Sequence, residues 1–218
     1  MRKGKFMSDK HVHIIDHPLI VDSLGHLRDQ RTELASFRRH SDQLCLLLFS
    51  EAIRGLALDD KEVTTPLEVP TMTKRLKDEI ILIPVLRSGL TMLFGALHLL
   101  PKSKVGFAGL ERDEETAVAS EYYWKLPVIR KNSVVIVTDP MLATGGSLLH
   151  LLQRISPLQP KEIRVVCVVA APEGLKAIHH QYPTVEIFTA AIDDKLNDAK
   201  YILPGIGDYG DRYFGTSV

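Results

Sequence analysis

The chain has few cysteines and few aromatic residues, carries no net charge, and contains no long apolar run. Cys45 and Cys167, its two cysteines, lie far apart inside the apolar stretches CLLLF and VVCVV. That usage points to free buried thiols in a reducing cytosol, and away from a disulfide scaffold or a paired-thiol catalyst. Lysine plus arginine match aspartate plus glutamate at 27 each, so no global field favours nucleic acid or an anionic membrane. No lysine–arginine cluster marks a nucleic-acid face, and no stretch approaches a membrane-spanning length. The opening residues MRKGKFMSDK are basic, with no apolar segment after them. They read as neither a secretory signal nor an anchor. Residues 1–10 are expected to form a loose N-terminal extension, with Met7 a second start. A length of 218 residues that is 45% apolar suits a single domain, 1–218, in the cytoplasm.

What is present is concentrated between Val134 and Ser147, VVIVTDPMLATGGS. Val134, Val135, Ile136 and Val137 form a β-branched run that suits a strand buried on both faces of a parallel sheet. Asp139 follows where the strand should end. Ala143-Thr144-Gly145-Gly146-Ser147 then precedes the helical run Leu148, Leu149, Leu151 and Leu152. A strand, a glycine-rich loop and a helix start in that order form an anion cradle. Glycine lets backbone N–H groups approach an oxyanion, and the helix start adds free donors and a positive dipole end. Thr144 and Ser147 can add hydroxyl donors.

Two common phosphate loops are ruled out. No lysine follows Gly146, as a nucleotide-hydrolase loop requires. The match to a dinucleotide loop, Gly205-Ile206-Gly207-Asp208-Tyr209-Gly210, follows Pro204 close to the C-terminus and leaves no room for the helix and strand that should come next. An acid ahead of the cradle suits a ribose 5-phosphate, with the cradle on the phosphate and Asp139 near the ring hydroxyls.

The remaining pattern gives an α/β order. Arg31 to Leu58 suggests two helices, Thr64 to Val69 and Ile80 to Val85 suggest strands, and Leu90 to Leu100 suggests a helix ended by Pro101. Val105 to Leu110 reads as a strand, and Val118 to Leu126 as part of a protruding hairpin. Val134 to Val137, Ile163 to Val169 and Val185 to Ala190 complete the strands, with helices from Gly146 and Glu173. Alternation of this kind implies a mostly parallel twisted sheet flanked by helices, with ligands at the carboxyl ends of its strands. Arg87, Asp139 and the Asp193-Asp194 pair all fall just after a strand.

The stretch Asp139-Pro140-Met141-Leu142-Ala143-Thr144-Gly145-Gly146-Ser147 resembles the phosphoribosyl pyrophosphate loop of uracil phosphoribosyltransferases. The resemblance runs along nearly the whole chain. It takes in His17-Pro18-Leu19, Leu86-Arg87-Ser88-Gly89-Leu90, Arg112-Asp113-Glu114-Glu115-Thr116, Ala170-Ala171-Pro172-Glu173-Gly174 and the tail Tyr201 to Asp211. A single aspartate followed by Pro-Met is similar to the uracil branch in particular. The resemblance implies the type I phosphoribosyltransferase fold, with a protruding β-hairpin and a C-terminal base-recognition loop.

It also implies roles. Arg87, Arg112, Asp139 and Asp208 would be catalytic. The donor would lie on Arg87, Arg112, Asp139, Pro140, Met141, Leu142, Ala143, Thr144, Gly145, Gly146, Ser147 and Asp208. Guanidinium forks suit the oxygens of a pyrophosphate leaving group, and Arg112 would sit on a mobile segment closing over it. Ile202, Gly207, Asp208 and Tyr209 would touch uracil. Mg²⁺ would be carried on the donor, with Asp208 as the one side chain considered for it. GTP is an implied effector with no residues assigned, and a homodimer or larger assembly is implied.

The chain departs from the family pattern at Tyr209, where alanine is common. It departs again at Lys195 and Lys200, where glycine is frequent, and at Glu111, where tyrosine is usual. Other features have plainer readings. His179-His180 is a solvated pair, His17-Pro18 a packing turn, Asp193-Asp194 a strand-end turn, and Tyr122-Tyr123-Trp124 an aromatic hairpin buried against a partner subunit. Two alternatives remain. One is a nucleotide-sensing regulator on the same fold, which the missing basic face argues against. The other is a transferase for a different nucleobase, which the tail loop argues against.

Overall fold

The computed structural model describes residues 10–112 and 119–216. The acidic run Asp113-Glu114-Glu115, Thr116 and the possible start at Met7 lie outside the described residues. In chain order the strands are β1 (Val12–Ile14), β2 (Leu58–Thr64), β3 (Pro70–Leu76), β4 (Glu79–Leu86), β5 (Lys104–Val105), β6 (Phe107–Arg112) and β7 (Ala119–Lys125). They continue as β8 (Ser133–Thr138), β9 (Met141–Leu142), β10 (Glu162–Ala170), β11 (Glu186–Ile192), β12 (Lys195–Leu196) and β13 (Ile202–Leu203). The helices are α1 (Pro18–Arg28), α2 (Leu34–Ala52), α3 (Leu90–Leu99), α4 (Gly146–Ile155), α5 (Pro172–Gln181) and α6 (Tyr209–Phe214).

The main sheet runs β1-β11-β10-β8-β4-β6-β7, with β5 against β4 and β9 against β10. Every pairing is parallel except β6 with β7. The β-branched run of β8 is buried along its whole length, as a central parallel strand requires. Successive side chains of a strand point to opposite faces. Val134 and Ile136 therefore join the core covered by α1, α2 and α3, and Val135 and Val137 the core covered by α4 and α5. Among the described residues, no helix is long and apolar enough to cross a membrane. Both cysteines are free and buried, and burial pushes each thiol up to about 12.

Three sequence expectations change. The stretch expected to hold two helices forms one, α2, because Phe37, Ser41, Leu44, Cys45, Leu48, Phe49 and Ala52 make a single buried stripe without a glycine or proline to break it. His17-Pro18 is a helix start: His17 Nδ1 accepts the Leu19 N–H at 3.2 Å, and Pro18 occupies the first turn of α1. Thr64 to Val69 is largely a connection, since β2 and β3 on either side of it pair as an antiparallel ribbon. That ribbon is a sheet of its own. The hairpin expected around Val118 to Leu126 is present among the described residues as β7 pairing antiparallel with β6 at the edge of the main sheet.

Two glycines test this packing in opposite directions. A Cβ on Gly89, between β4 and α3, would lie 2.3 Å from the Thr138 carbonyl oxygen and 2.5 Å from that of Val85, both backbone. Gly89→Ala should therefore lower stability by about 1–3 kcal/mol, as overpacking does. Gly25, inside α1, has nothing within 4 Å of such a Cβ. Gly25→Ala should raise stability by roughly 0.5–1 kcal/mol through helix propensity. Urea unfolding of both variants checks the pair.

Candidate active site

The site is assembled by strand register. Strands β4 and β8 are parallel neighbours with Pro84 opposite Thr138, so the turns leaving them lie side by side. The Thr138 hydroxyl donates to the Gly89 carbonyl at 3.1 Å and ties the two turns together. Arg87 and Ser88 from the first turn and Asp139 from the second line a cavity of about 990 Å³. Ser147 at the start of α4 and Asp208 and Gly210 of the tail line the same cavity. It lies at the carboxyl ends of the strands, where parallel sheets bind ligands.

Asp139 is half-buried, and its Oδ1 accepts the Met141 N–H at 3.2 Å. Burial pushes its carboxyl up to about 6, against the opposing pull of the Met141 N–H and the Ser88 hydroxyl. Arg87 is exposed to the cavity and bonds Asp211 Oδ1 at 3.1 Å, which aims a solvated guanidinium along the floor.

The cradle has the geometry that the glycines suggested. Gly145 takes φ +82° as the cap of α4, with the Gly174 carbonyl 3.3 Å from where a Cβ would stand. A side chain there would be strained and crowded together. The Thr144 hydroxyl accepts the Gly146 N–H at 3.3 Å, so Thr144 shapes the loop. Within the loop, Pro140 and Leu142 are buried and Met141 packs against the core. These three, with Ala143, can offer a ligand only their backbone.

The tail is held by arginines that the sequence did not single out. Arg28 at the end of α1 makes two bonds to the buried carboxylate of Asp193, at 2.9 and 2.5 Å, and donates to the Gly205 carbonyl at 2.8 Å. Asp193 also accepts the Gly205 N–H at 2.9 Å. Arg212 donates to the carbonyls of Leu27, of Ile206 at 2.7 Å and of Asp29 at 2.7 Å. Arg38 reaches the Tyr213 carbonyl at 2.8 Å. Asp193 is thus a clamp for the loop, and its carboxylate is already filled by protein donors.

Within that loop the expected base contacts separate. Asp208 caps α6 by accepting the Asp211 N–H at 2.8 Å and faces the cavity, and Gly207 is exposed at φ +80°. Ile202 is buried in the core. Tyr209 is 1% exposed, with its hydroxyl 2.6 Å from Ser41 Oγ and its ring edge-on to Phe37. The Tyr209 side chain therefore points away from any base, and only its backbone remains available. The side chain of Arg112 lies outside the described residues; its backbone ends β6 opposite Ala119.

Several lining residues had gone unassigned. Ser88 sits in the same turn as Arg87 and was within reach of the argument. Tyr122, Asp198, Lys200 and Tyr201 also line the cavity. Tyr122 and Tyr123 are exposed, and the Arg154 guanidinium lies 3.7 Å from the centre of the Trp124 ring. Lys200 holds φ +65°, a conformation that glycine adopts without cost. Asp139, Asp198, Asp208 and Glu111 are among the lining residues, and carboxylate oxygen is the ligand type that Mg²⁺ takes. His11, His13 and His179 have protein partners. His11 and His13 share Glu186 at 2.6 and 2.5 Å, and His179 Nε2 lies 2.9 Å from the Val185 carbonyl oxygen.

Comparison with known proteins agrees with this geometry. The family model for uracil phosphoribosyltransferase matches residues 14–216. The uracil phosphoribosyltransferase of Malacoplasma penetrans is 45% identical over 203 residues, covering 93% of this chain and 98% of that protein. That of Staphylococcus epidermidis is 43% identical over 205 residues, covering 94% and 98%. A solved protein structure from Aquifex aeolicus superposes with a TM-score of 0.90 at 40% identity, covering 95% of this chain and 99% of the other. The match spans both turns, the cradle and the clamped tail, and on it the chain belongs to the uracil phosphoribosyltransferase family.

Proposed function

We propose that the chain transfers the phosphoribosyl group of 5-phospho-α-D-ribose 1-diphosphate to N1 of uracil, giving UMP and pyrophosphate in pyrimidine salvage. The observation that carries this reading is the convergence of Arg87, Asp139, Ser147 and Asp208 on one cavity. Each answers a different part of the substrates. The loop from Asp139 to Ser147 takes the 5-phosphate on its backbone and the α4 start, which fixes the ribose against drift. Arg87, with Arg112, takes the pyrophosphate oxygens. Uracil presents two carbonyls and an N3–H, which the backbone of Gly207, Asp208 and Tyr209 can match.

The bond from the anomeric carbon to the pyrophosphate oxygen breaks with its electron pair on the leaving oxygen. The bond to N1 forms as the N1 proton is lost to solvent. Positive charge develops on the ring between these events, and the Asp139 carboxylate stands beside it. Mg²⁺ carried on the donor, with Asp208 the side chain that could help hold it, would supply charge neutralisation to the leaving group. The same reading includes a GTP effector, a cytoplasmic location and a homodimer or larger assembly. The last is supported by Leu58, Leu67, Val69, Met72 and Leu76, exposed apolar residues on or beside the β2–β3 ribbon.

Two experiments test the reading. With Mg²⁺ and the donor, uracil alone among the common nucleobases should release substantial pyrophosphate. Equal turnover of cytosine, guanine or hypoxanthine overturns it.

Asp139→Asn should lower kcat by ~10²-fold or more with little change in donor affinity, the pattern of a contact made only at the barrier. The acid limb of the wild-type kcat/KM profile, centred near the Asp139 value of about 6, should disappear in the variant. Stability should move the other way. A carboxyl raised from 3.8 to about 6 by folding is at its most stable when protonated, and that contribution is lost as pH rises through about 6. The neutral variant should therefore be the more stable protein at pH 7, with the gap closing in acid. A fall in donor affinity that matches the fall in kcat would reduce Asp139 to a binding residue.

A further inference from the structure

Away from the cavity, α1 and α2 bring together a group of side chains that the transfer reaction does not use. Asp22 and His26 stand four residues apart on α1, so they share a helix face. That face meets His40 of α2. One donor atom from each of the three lies within 4.8 Å of the others. The rings of His26 and His40 stack with centroids 3.9 Å apart and planes 14° from parallel. Among the described residues, Nδ1 of His40 is buried without a hydrogen-bond partner, a state that folded proteins avoid unless something supplies the partner. None of the three residues lines the large cavity.

We propose that Asp22, His26 and His40 form a site for a borderline transition-metal cation, Zn²⁺ above all, which clasps α1 to α2. Two imidazole nitrogens and one carboxylate oxygen are the donor set that Zn²⁺ takes from a protein when the fourth position is left to water. Mg²⁺ and Ca²⁺ require oxygen ligands throughout and do not fit. Metal binding needs neutral imidazole. Arg39 opposes a nearby cation, and the Asp22 carboxylate offsets it.

The position gives such a clasp a consequence. His26 lies two residues before Arg28, and its carbonyl accepts the Thr32 hydroxyl at 2.6 Å. The carbonyls of Leu27 and Asp29 are those that Arg212 grips from the tail. A metal bridging His26 to His40 steadies the helix end that seats the base-recognition loop. It does so from outside the reacting atoms, as a positioning site.

The test uses the full chain stripped with EDTA and titrated with ZnCl₂ by calorimetry, with Co²⁺ absorption reporting coordination. We expect one Zn²⁺ per chain and a rise in Tm of ~5 °C or more at a hundredfold excess over Kd. Asp22→Asn and His26→Gln change exposed positions, so they should leave the metal-free Tm unchanged while weakening Zn²⁺ by about tenfold or more. His13→Gln, in the other histidine-rich cluster, should bind Zn²⁺ as the wild type does. Zn²⁺ binding weaker than ~100 μM, too weak to shift Tm at working concentrations, would overturn the proposal. So would binding that survives His26→Gln, or binding that is lost in His13→Gln.

Discussion

The buried carboxylate of Asp193 connects three distant parts of the chain. It stands just past the end of β11, takes two bonds from Arg28 at the end of α1, and takes the Gly205 N–H of the tail. Its own N–H donates to the Ala170 carbonyl of the neighbouring strand at 2.8 Å. A carboxylate at 4% exposure is costly unless its partners are complete. Here they are, and each partner belongs to a different element. The sheet end, the first helix and the tail loop are therefore fixed relative to one another by a single group. The Arg87 and Asp139 turns sit on that same sheet end. On the proposed function, a base held by the tail would meet a ribose held by the cradle at a constant distance.

How far the sequence revealed this varied with the range of the interactions. The run from β8 through the cradle to α4 was legible because every cue in it is local: β-branched residues for a buried strand, glycine for a left-handed cap, leucines at helical spacing. The same holds for β4, α3 and β10. The ribbon of β2 and β3 was misread because its strands have exposed side chains on both faces, so no alternation distinguishes strand from turn. α1 was passed over because Pro18 was taken as a turn residue, though proline is equally at home in a first helical turn. The long stripe of α2 was divided in two where one period would serve.

In the cavity lining, motif reasoning reaches Arg87, Asp139, Ser147 and Asp208, and the residues brought there only by folding were not reached. Nothing near Arg28 announces Asp193, and nothing near Tyr122 or Lys200 announces the cavity they share with Arg87. Tyr209 shows how side chain and backbone part company. Its place in the tail motif implies contact with the base, and its ring sits in the core against Phe37 and Ser41, leaving the backbone for that contact. The usual small residue at that position and the tyrosine here can present the same backbone to a ligand while differing in how firmly the loop is anchored from behind.

The edge strand β1 has a consequence in time. It pairs in parallel with β11, Val12 opposite Ile187 through Ile14 opposite Thr189, and the histidines flanking that pairing share Glu186. Arg28 likewise waits for Asp193. Residues of the first strand and first helix thus have partners made far later in the chain. Synthesis proceeds at about 5–20 residues per second, so the first strand and first helix wait on the order of ten seconds for their counterparts. During translation the middle strands and the β6–β7 margin can pair while the β1–β11 margin stays open. The cavity gains its Asp208 and Gly210 wall only once the tail has been made, and a nascent chain stopped short of it would have a folded centre and an incomplete cavity.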